Sequence, residues 1–203
     1  MSGTPRLVIP DELNIDVRSG LPEDWTFLLE KHPKDTWQGN SRLGEHATFW
    51  LAIHRNFRMM AAHLTSVSND YREGRVDGET FRRALAPRLQ QFLGTLDHHH
   101  RIEDHHFFPH FIAAEPRFEA GIALLEADHE VIDEQVHTMV ERANALLRAQ
   151  GQEAVKRSGA DFADGSDRIV ALLHRHLDDE EDIVVPLMLD RGEVELLKNS
   201  AFA

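Results

Sequence analysis

The sequence predicts an all-α protein, most simply an antiparallel up-down four-helix bundle with an irregular N-terminal arm. From about residue 43 onward, apolar residues recur at alternating spacings of three and four, which is the period of an amphipathic helix. Breaks at residues 74–78, 109–116 and 151–165 divide this pattern into four long segments. We find no period-two alternation rich in valine, isoleucine and threonine, so we expect no strands. Four long helices with short connections favour a bundle.

The first 40 residues are predicted to form an arm, because no helical period persists there for more than about two turns. They contain four of the eight prolines: Pro5, Pro10, Pro22 and Pro33. Trp25 and Trp37 carry too much apolar surface for a solvated tail, so we expect the arm to pack on the main body, with one short helix in its middle. The predicted organisation is an arm over residues 1–40, a bundle over 41–190 and a tail over 191–203.

Prolines and glycines indicate where the helices end. Pro116 fits the first turn of the third helix, and Gly151 fits a C-cap at its end. Pro186 is expected to end or kink the fourth helix. Pro87 falls inside the second helix, so either a short helix precedes it or the helix bends there.

The predicted helices place polar side chains on their apolar faces, which is unusual for core positions. These residues are His54 on the first helix, His99, Glu103 and His106 on the second, His129 on the third, and His176 and Glu180 on the fourth. His98 and His100, which flank His99, are expected to point away from this face.

Two helices repeat one motif, a histidine followed four residues later by a glutamate, which places both side chains on one helical face. The pairs are His99–Glu103 and His176–Glu180, and the offset between them is 77 residues for both members. We interpret this repeat as an internal duplication of helix hairpins. His54 and His129 precede the midpoints of the two pairs by 47 and 49 residues. Antiparallel helices would therefore bring these six side chains to one level.

The cost of burial indicates what such a cluster does. Two carboxylates in a bundle core without a counter-charge would be strongly destabilising or would become neutral. A bound cation removes this cost, so we predict that the six side chains bind two divalent metal ions, with the two glutamates bridging them. Since the chain contains no cysteine, the ligands must be nitrogen and oxygen atoms. Iron is the natural occupant, with zinc or manganese as alternatives.

Composition disfavours several other functions. The 203 residues include 22 basic and 35 acidic side chains, and a formal net charge of −13 disfavours binding to nucleic acid or to anionic membranes. The absence of cysteine excludes disulfides, thiol nucleophiles and iron–sulfur clusters. The N-terminus has no signal-peptide pattern, and no apolar run is long enough to span a membrane, so we expect a cytoplasmic protein.

Four segments together resemble the hemerythrin-like, or HHE cation-binding, family over roughly residues 43–190. They are FWLAIHRNFR with His54, LDHHHRIEDHHFFP with His99 and Glu103, LEADHEVID with His129, and HRHLDDEEDIVVP with His176 and Glu180. The resemblance implies a non-haem di-iron centre with oxo- or hydroxo- and carboxylate-bridged iron ions. It implies O2, peroxide or NO as the ligand, and it does not select between a carrier, a sensor and a redox enzyme.

Several alternatives stay open at this point. His46 competes with His54 as the ligand from the first helix. Asp133 stands where oxygen-carrying hemerythrins have a histidine, which argues against the carrier-type ligand set, although Asp133 could add a carboxylate ligand. The Glu-x-x-His spacings at Glu103 and Glu126 also match ferritin-like di-metal oxidases, but residues 46–71 contain no glutamate. A metal-free helical interaction module with pH-sensing histidines is the other alternative. We expect the arm to cover the mouth of the site.

Overall fold

In the computed structural model, which describes residues 9–198, all regular secondary structure is helical. The helices are α1 (Glu45–Arg72), α2 (Gly78–Ile102), α3 (Phe108–Ala114), α4 (Glu119–Arg148), α5 (Gln152–Arg191) and α6 (Glu193–Leu197). No strand occurs within the described range. The prediction of an all-α protein is confirmed.

The chain divides into two compact units. Within the described residues, the first unit contains residues 9–54, His100–His129 and residues 175–198, and the second contains Arg55–His99 and Glu130–His174. In the first unit, Trp50, Phe107 and Phe111 lie among the buried residues, and the Trp50 and Phe107 rings meet edge to face with centroids 5.0 Å apart. In the second unit, the rings of Tyr71 and Phe81 stack with centroids 4.5 Å apart.

The predicted break at residues 151–165 is wrong, because α5 begins at Gln152 and continues to Arg191. Gly151 lies in the preceding turn with φ of 80°, a conformation that favours glycine. Gly159 lies inside α5 and packs against Tyr71. A Cβ atom at this position would come within 2.4 Å of the Tyr71 ring, so the packing requires glycine. Close packing thus outweighs the weak helix propensity of glycine.

Both internal prolines are accommodated within helices. α5 runs through Pro186, so of the two expected effects of this residue an end of the helix is excluded, and a kink stays a prediction. α2 begins at Gly78 and contains Pro87, so a separate short helix before this proline is also excluded. Pro116 begins a 3-10 turn, Pro116–Phe118, that leads directly into α4.

A π-helical turn, Glu103–Phe107, follows α2 and precedes α3. The wider turn adds one residue to the spacing of inward-facing positions. Phe107 is buried and His106 is exposed, whereas a regular spacing of three from Glu103 predicts the reverse. The prediction that His106 faces the core is therefore wrong.

Between residues 9 and 40, the arm contains three short 3-10 helices, Asp11–Leu13, Glu23–Trp25 and Lys34–Thr36, of which the second corresponds to the single helix expected in its middle. Ile15, Leu28 and Trp37 are buried, and Arg18 is also buried. Residues 1–8 of the predicted arm and residues 199–203 of the predicted tail lie outside the described residues. Boundaries at residues 40 and 190 stay a prediction.

No helix between residues 9 and 198 has the length and apolar character that crossing a membrane requires.

Candidate metal centre

Seven buried histidines and glutamates form two groups whose potential ligand atoms lie within 4.8 Å of one another. The first group is His100, Glu103, His129 and His176, and the second is His54, His99, Glu103 and Glu180. Every member is at most 8% exposed. Glu103 belongs to both groups, so one carboxylate links two sets of donor atoms.

Helix geometry positions these side chains. His129 comes from α4, whereas His176 and Glu180 come from successive turns of α5. The spacing of four places His176 Nε2 3.3 Å from Glu180 Oε2. His54, from α1, places its Nε2 atom 3.6 Å from the same Glu180 oxygen. Glu180 therefore contacts one histidine from each group.

Two imidazoles meet at the first group. The Nε2 atoms of His129 and His176 lie 3.0 Å apart, and His129 Nε2 lies 3.7 Å from Glu103 Oε2. Two ligands bound at right angles, each about 2.1 Å from a metal ion, are separated by about 3.0 Å. The spacing of these two nitrogens therefore fits adjacent positions around one cation.

Carboxylate oxygens lie beside the Nδ1 atoms of three of these histidines. His129 Nδ1 donates to Asp104 Oδ1 at 2.7 Å, and His54 Nδ1 donates to Glu181 Oε1 at 3.0 Å. His176 Nδ1 lies 3.5 Å from an oxygen of Asp128, at the limit of hydrogen bonding. Such partners fix the ring orientation and leave Nε2 as the inward donor, which is the usual arrangement around metal-bound histidines.

Aromatic rings enclose the histidines and limit access of water. The His100 ring stacks on the His129 ring with centroids 4.0 Å apart, and Phe108 lies nearly parallel to His129 at 5.7 Å. Trp50 lies 6.1 Å from His54, and the centroid of Phe57 lies 5.0 Å from that of His99.

Without a bound cation, the burial of Glu103 beside Glu180 would destabilise the folded state. Burial raises the pKa of Glu103 well above its usual value, and the charge of neighbouring Glu180 raises it further. Burial lowers the pKa of His176, but hydrogen bonds to Asp128 and Glu180, with their charges, outweigh it and raise the pKa to about 9. A divalent cation would stabilise the ionised carboxylates and the neutral imidazoles.

The six predicted side chains are all found in these groups, namely His54, His99, Glu103, His129, His176 and Glu180. His100, expected to point away, is buried and belongs to the first group. The sequence does contain an indication of this position: His100 precedes Glu103 by three residues, and residues three apart also share a helical face.

The competing residues lie elsewhere. His46 Nδ1 is 3.4 Å from Glu193 Oε2, and His46 is in neither group. Asp133 is exposed, beside His137. Glu126 is also exposed, so the spacings expected of a ferritin-like site do not converge here.

The donor set fits a metal site. Imidazole nitrogens and carboxylate oxygens suit first-row divalent metals, and each group offers four potential donor atoms inside the fold. No curated protein and no solved structure matches the chain significantly. The sequence model described as "Hemerythrin HHE cation binding domain" matches residues 46–195, which include all seven side chains. The chain thus belongs to the hemerythrin HHE cation-binding family.

Proposed function

We propose that the protein is a non-haem di-iron protein that binds O2 or a related small ligand, peroxide or NO, inside its helical fold. The observation that carries this proposal is the pair of buried donor groups that share Glu103. One carboxylate common to two donor sets favours two adjacent ions over a single one.

The proposed ligands are the six predicted residues together with His100. Glu103 and Glu180 would bridge, since Glu103 is in both groups and Glu180 Oε2 lies within 3.6 Å of both His54 Nε2 and His176 Nε2. The first group contributes three histidines and the second contributes two. The ion with fewer nitrogen ligands is therefore the one we expect to receive the small ligand.

Bound iron would supply redox chemistry and open coordination positions for such a ligand. The protein's own residues determine what reaches them. His54 and Glu103 are 0% exposed, Trp50 packs beside His54, and Phe107 packs against Trp50, so bulky substrates are excluded from direct contact. We therefore expect diatomic molecules and peroxide, rather than larger substrates, to reach the ions.

The proposal is tested by loading the protein anaerobically with ferrous iron. We expect about two iron ions per chain, and a charge-transfer band in the visible spectrum after air is admitted. A band that disappears when oxygen is removed favours a carrier or sensor. A band that persists, or that bleaches as added peroxide is consumed, favours a redox enzyme.

Variants assign the signal to the site. Glu103→Ala and His176→Ala should lose iron and the band, whereas His137→Ala, at a histidine whose side chain is 75% exposed, should keep both. A wild-type protein that binds no iron, or retention of both ions by Glu103→Ala, would overturn the proposal. Iron-loaded wild type that shows no charge-transfer band after air or peroxide is added would overturn the assignment of iron as the functional metal.

A further inference from the structure

One buried arginine joins the N-terminal arm to the metal centre. Arg18 is 6% exposed, and its guanidinium contacts two carboxylates. Nη1 donates to Asp128 Oδ1 at 2.9 Å, Nη2 donates to the other oxygen of Asp128, and Nε donates to Asp179 Oδ2 at 2.7 Å. Nη1 also donates to the Leu13 carbonyl at 2.9 Å, which ties the guanidinium to the arm backbone.

Both carboxylates adjoin proposed ligands. Asp128 precedes His129 in α4, and Asp179 precedes Glu180 in α5. Asp128 also lies 3.5 Å from His176 Nδ1. The Arg18 guanidinium thus binds the two side chains that precede the proposed ligands His129 and Glu180. One of them, Asp128, also lies beside a third proposed ligand, His176.

Charge explains why an arginine is needed here. Asp128 and Asp179 are 2% and 0% exposed, and buried carboxylates require a paired charge. Arg175 also contacts Asp179, with Nε 2.9 Å from Oδ2, whereas Arg18 makes the bidentate pair with Asp128. A lysine carries the same charge but cannot place three donors in this planar arrangement.

We propose that Arg18 is a positioning residue for the metal centre, acting through Asp128 and Asp179 on His129, His176 and Glu180. This inference rests on the proposed function. Removal of the guanidinium leaves a buried negative charge near the ions, which stabilises the ferric state relative to the ferrous state. It also frees the carboxylate beside His176 Nδ1, so the ring orientation is no longer fixed.

The experiment compares Arg18→Met and Arg18→Lys with Lys31→Met. Lys31 is a matched control because it also joins the arm to α5, through an ion pair with Asp190. Lys31→Met therefore reports the effect of loosening the arm, without a change in the charge beside Asp128. Circular dichroism of each metal-free variant first establishes that it folds.

Three readouts follow: iron affinity, the midpoint potential of the iron-loaded protein, and the ring nitrogen chemical shifts of His176 in metal-free protein. For Arg18→Met we expect iron binding about ten- to hundred-fold weaker, a more negative potential and shifted His176 resonances. Arg18→Lys should be intermediate, and Lys31→Met should match the wild type in all three.

Equal values for Arg18→Met and Lys31→Met would overturn the inference while leaving the proposed function intact. If Arg18→Met does not fold, Arg18→Lys decides: wild-type values for this variant would overturn the inference. If the wild type binds no iron, the proposed function fails, and the His176 shifts in metal-free protein still test whether Arg18 positions that ring.

Discussion

His129 and His176 direct their Nε2 atoms toward each other from two different helices, at a separation of 3.0 Å. Their Nδ1 atoms face Asp104 and Asp128, so the two rings are held from outside by carboxylates. A cation bound to both Nε2 atoms would connect α4 to α5 and compensate for the burial of Glu103 beside them. Metal binding and folding should therefore be coupled.

Chelation should lower the thermal stability of the iron-loaded protein. A ligand that binds only the folded state stabilises it by about 4 kcal/mol when its free concentration is about a thousandfold above the dissociation constant. Thermal unfolding followed by circular dichroism measures the difference between iron-loaded and metal-free protein. His176→Ala is the control, since a chelator should not change its midpoint. Identical curves for loaded and chelated wild type would favour the metal-free module.

Replacing Asp104 with asparagine should weaken iron binding about ten- to hundred-fold, because the partner that orients His129 loses its charge. Competition with a coloured chelator measures the affinity. Asp133→Asn is the matched control: it alters a carboxylate 3.5 Å from an exposed histidine, His137. Equal affinities for the two variants would contradict the role given to Asp104.

Replacing His100 with alanine should reduce the iron content, whereas His98→Ala should not. The two histidines are close in sequence, but His100 is 6% exposed and belongs to the first donor group, while His98 is exposed. Elemental analysis of both variants gives the number of ions per chain. Full iron content in His100→Ala would restrict the proposed ligands to the six residues predicted from the sequence.

Glu115 should make stability depend on pH in the acid range. Its carboxylate accepts hydrogen bonds from Arg117 and Arg191, and these charges lower its pKa from 4.5 to about 2. A lowered pKa means that the stabilisation is fully present above pH 4.5 and is lost as the pH falls toward 2.

The matching experiment is urea unfolding of metal-free protein, for the wild type and Glu115→Gln. We expect the wild type to be more stable by about 1 kcal/mol at pH 7, with a smaller difference at pH 3. A difference that is unchanged between these pH values would contradict the lowered pKa. Metal-free protein is used so that loss of the metal in acid does not contribute.

Much of the site could be predicted, because the sequence shows both the spacing of residues within a helix and the number of residues that separate positions on successive helices. The two pairs His99–Glu103 and His176–Glu180 depend only on residues four apart. The positions of His54 and His129 depend only on similar distances along antiparallel helices. These local rules required no knowledge of the packing.

The remaining features depend on contacts between residues far apart in the sequence. From the sequence alone, Gly159 is expected to interrupt a helix. The structure shows that Tyr71 packs against it, which explains the glycine inside α5. Arg18 lies in an irregular arm, and its carboxylate partners are 110 and 161 residues away. Periodicity in the arm carries no information about such a pair.

The π-helical turn at Glu103–Phe107 sets the rotational phase of α3 relative to α2. His99 and Phe111 both face inward and are 12 residues apart. At about 100° per residue, a uniform α-helix would turn Phe111 about 120° away from His99, whereas absorbing one residue in a wider turn leaves only about 20°. Deletion of one residue here would therefore force a choice between the ligands before the turn and the aromatic core after it. This segment should tolerate substitutions at exposed positions far better than any change in its length.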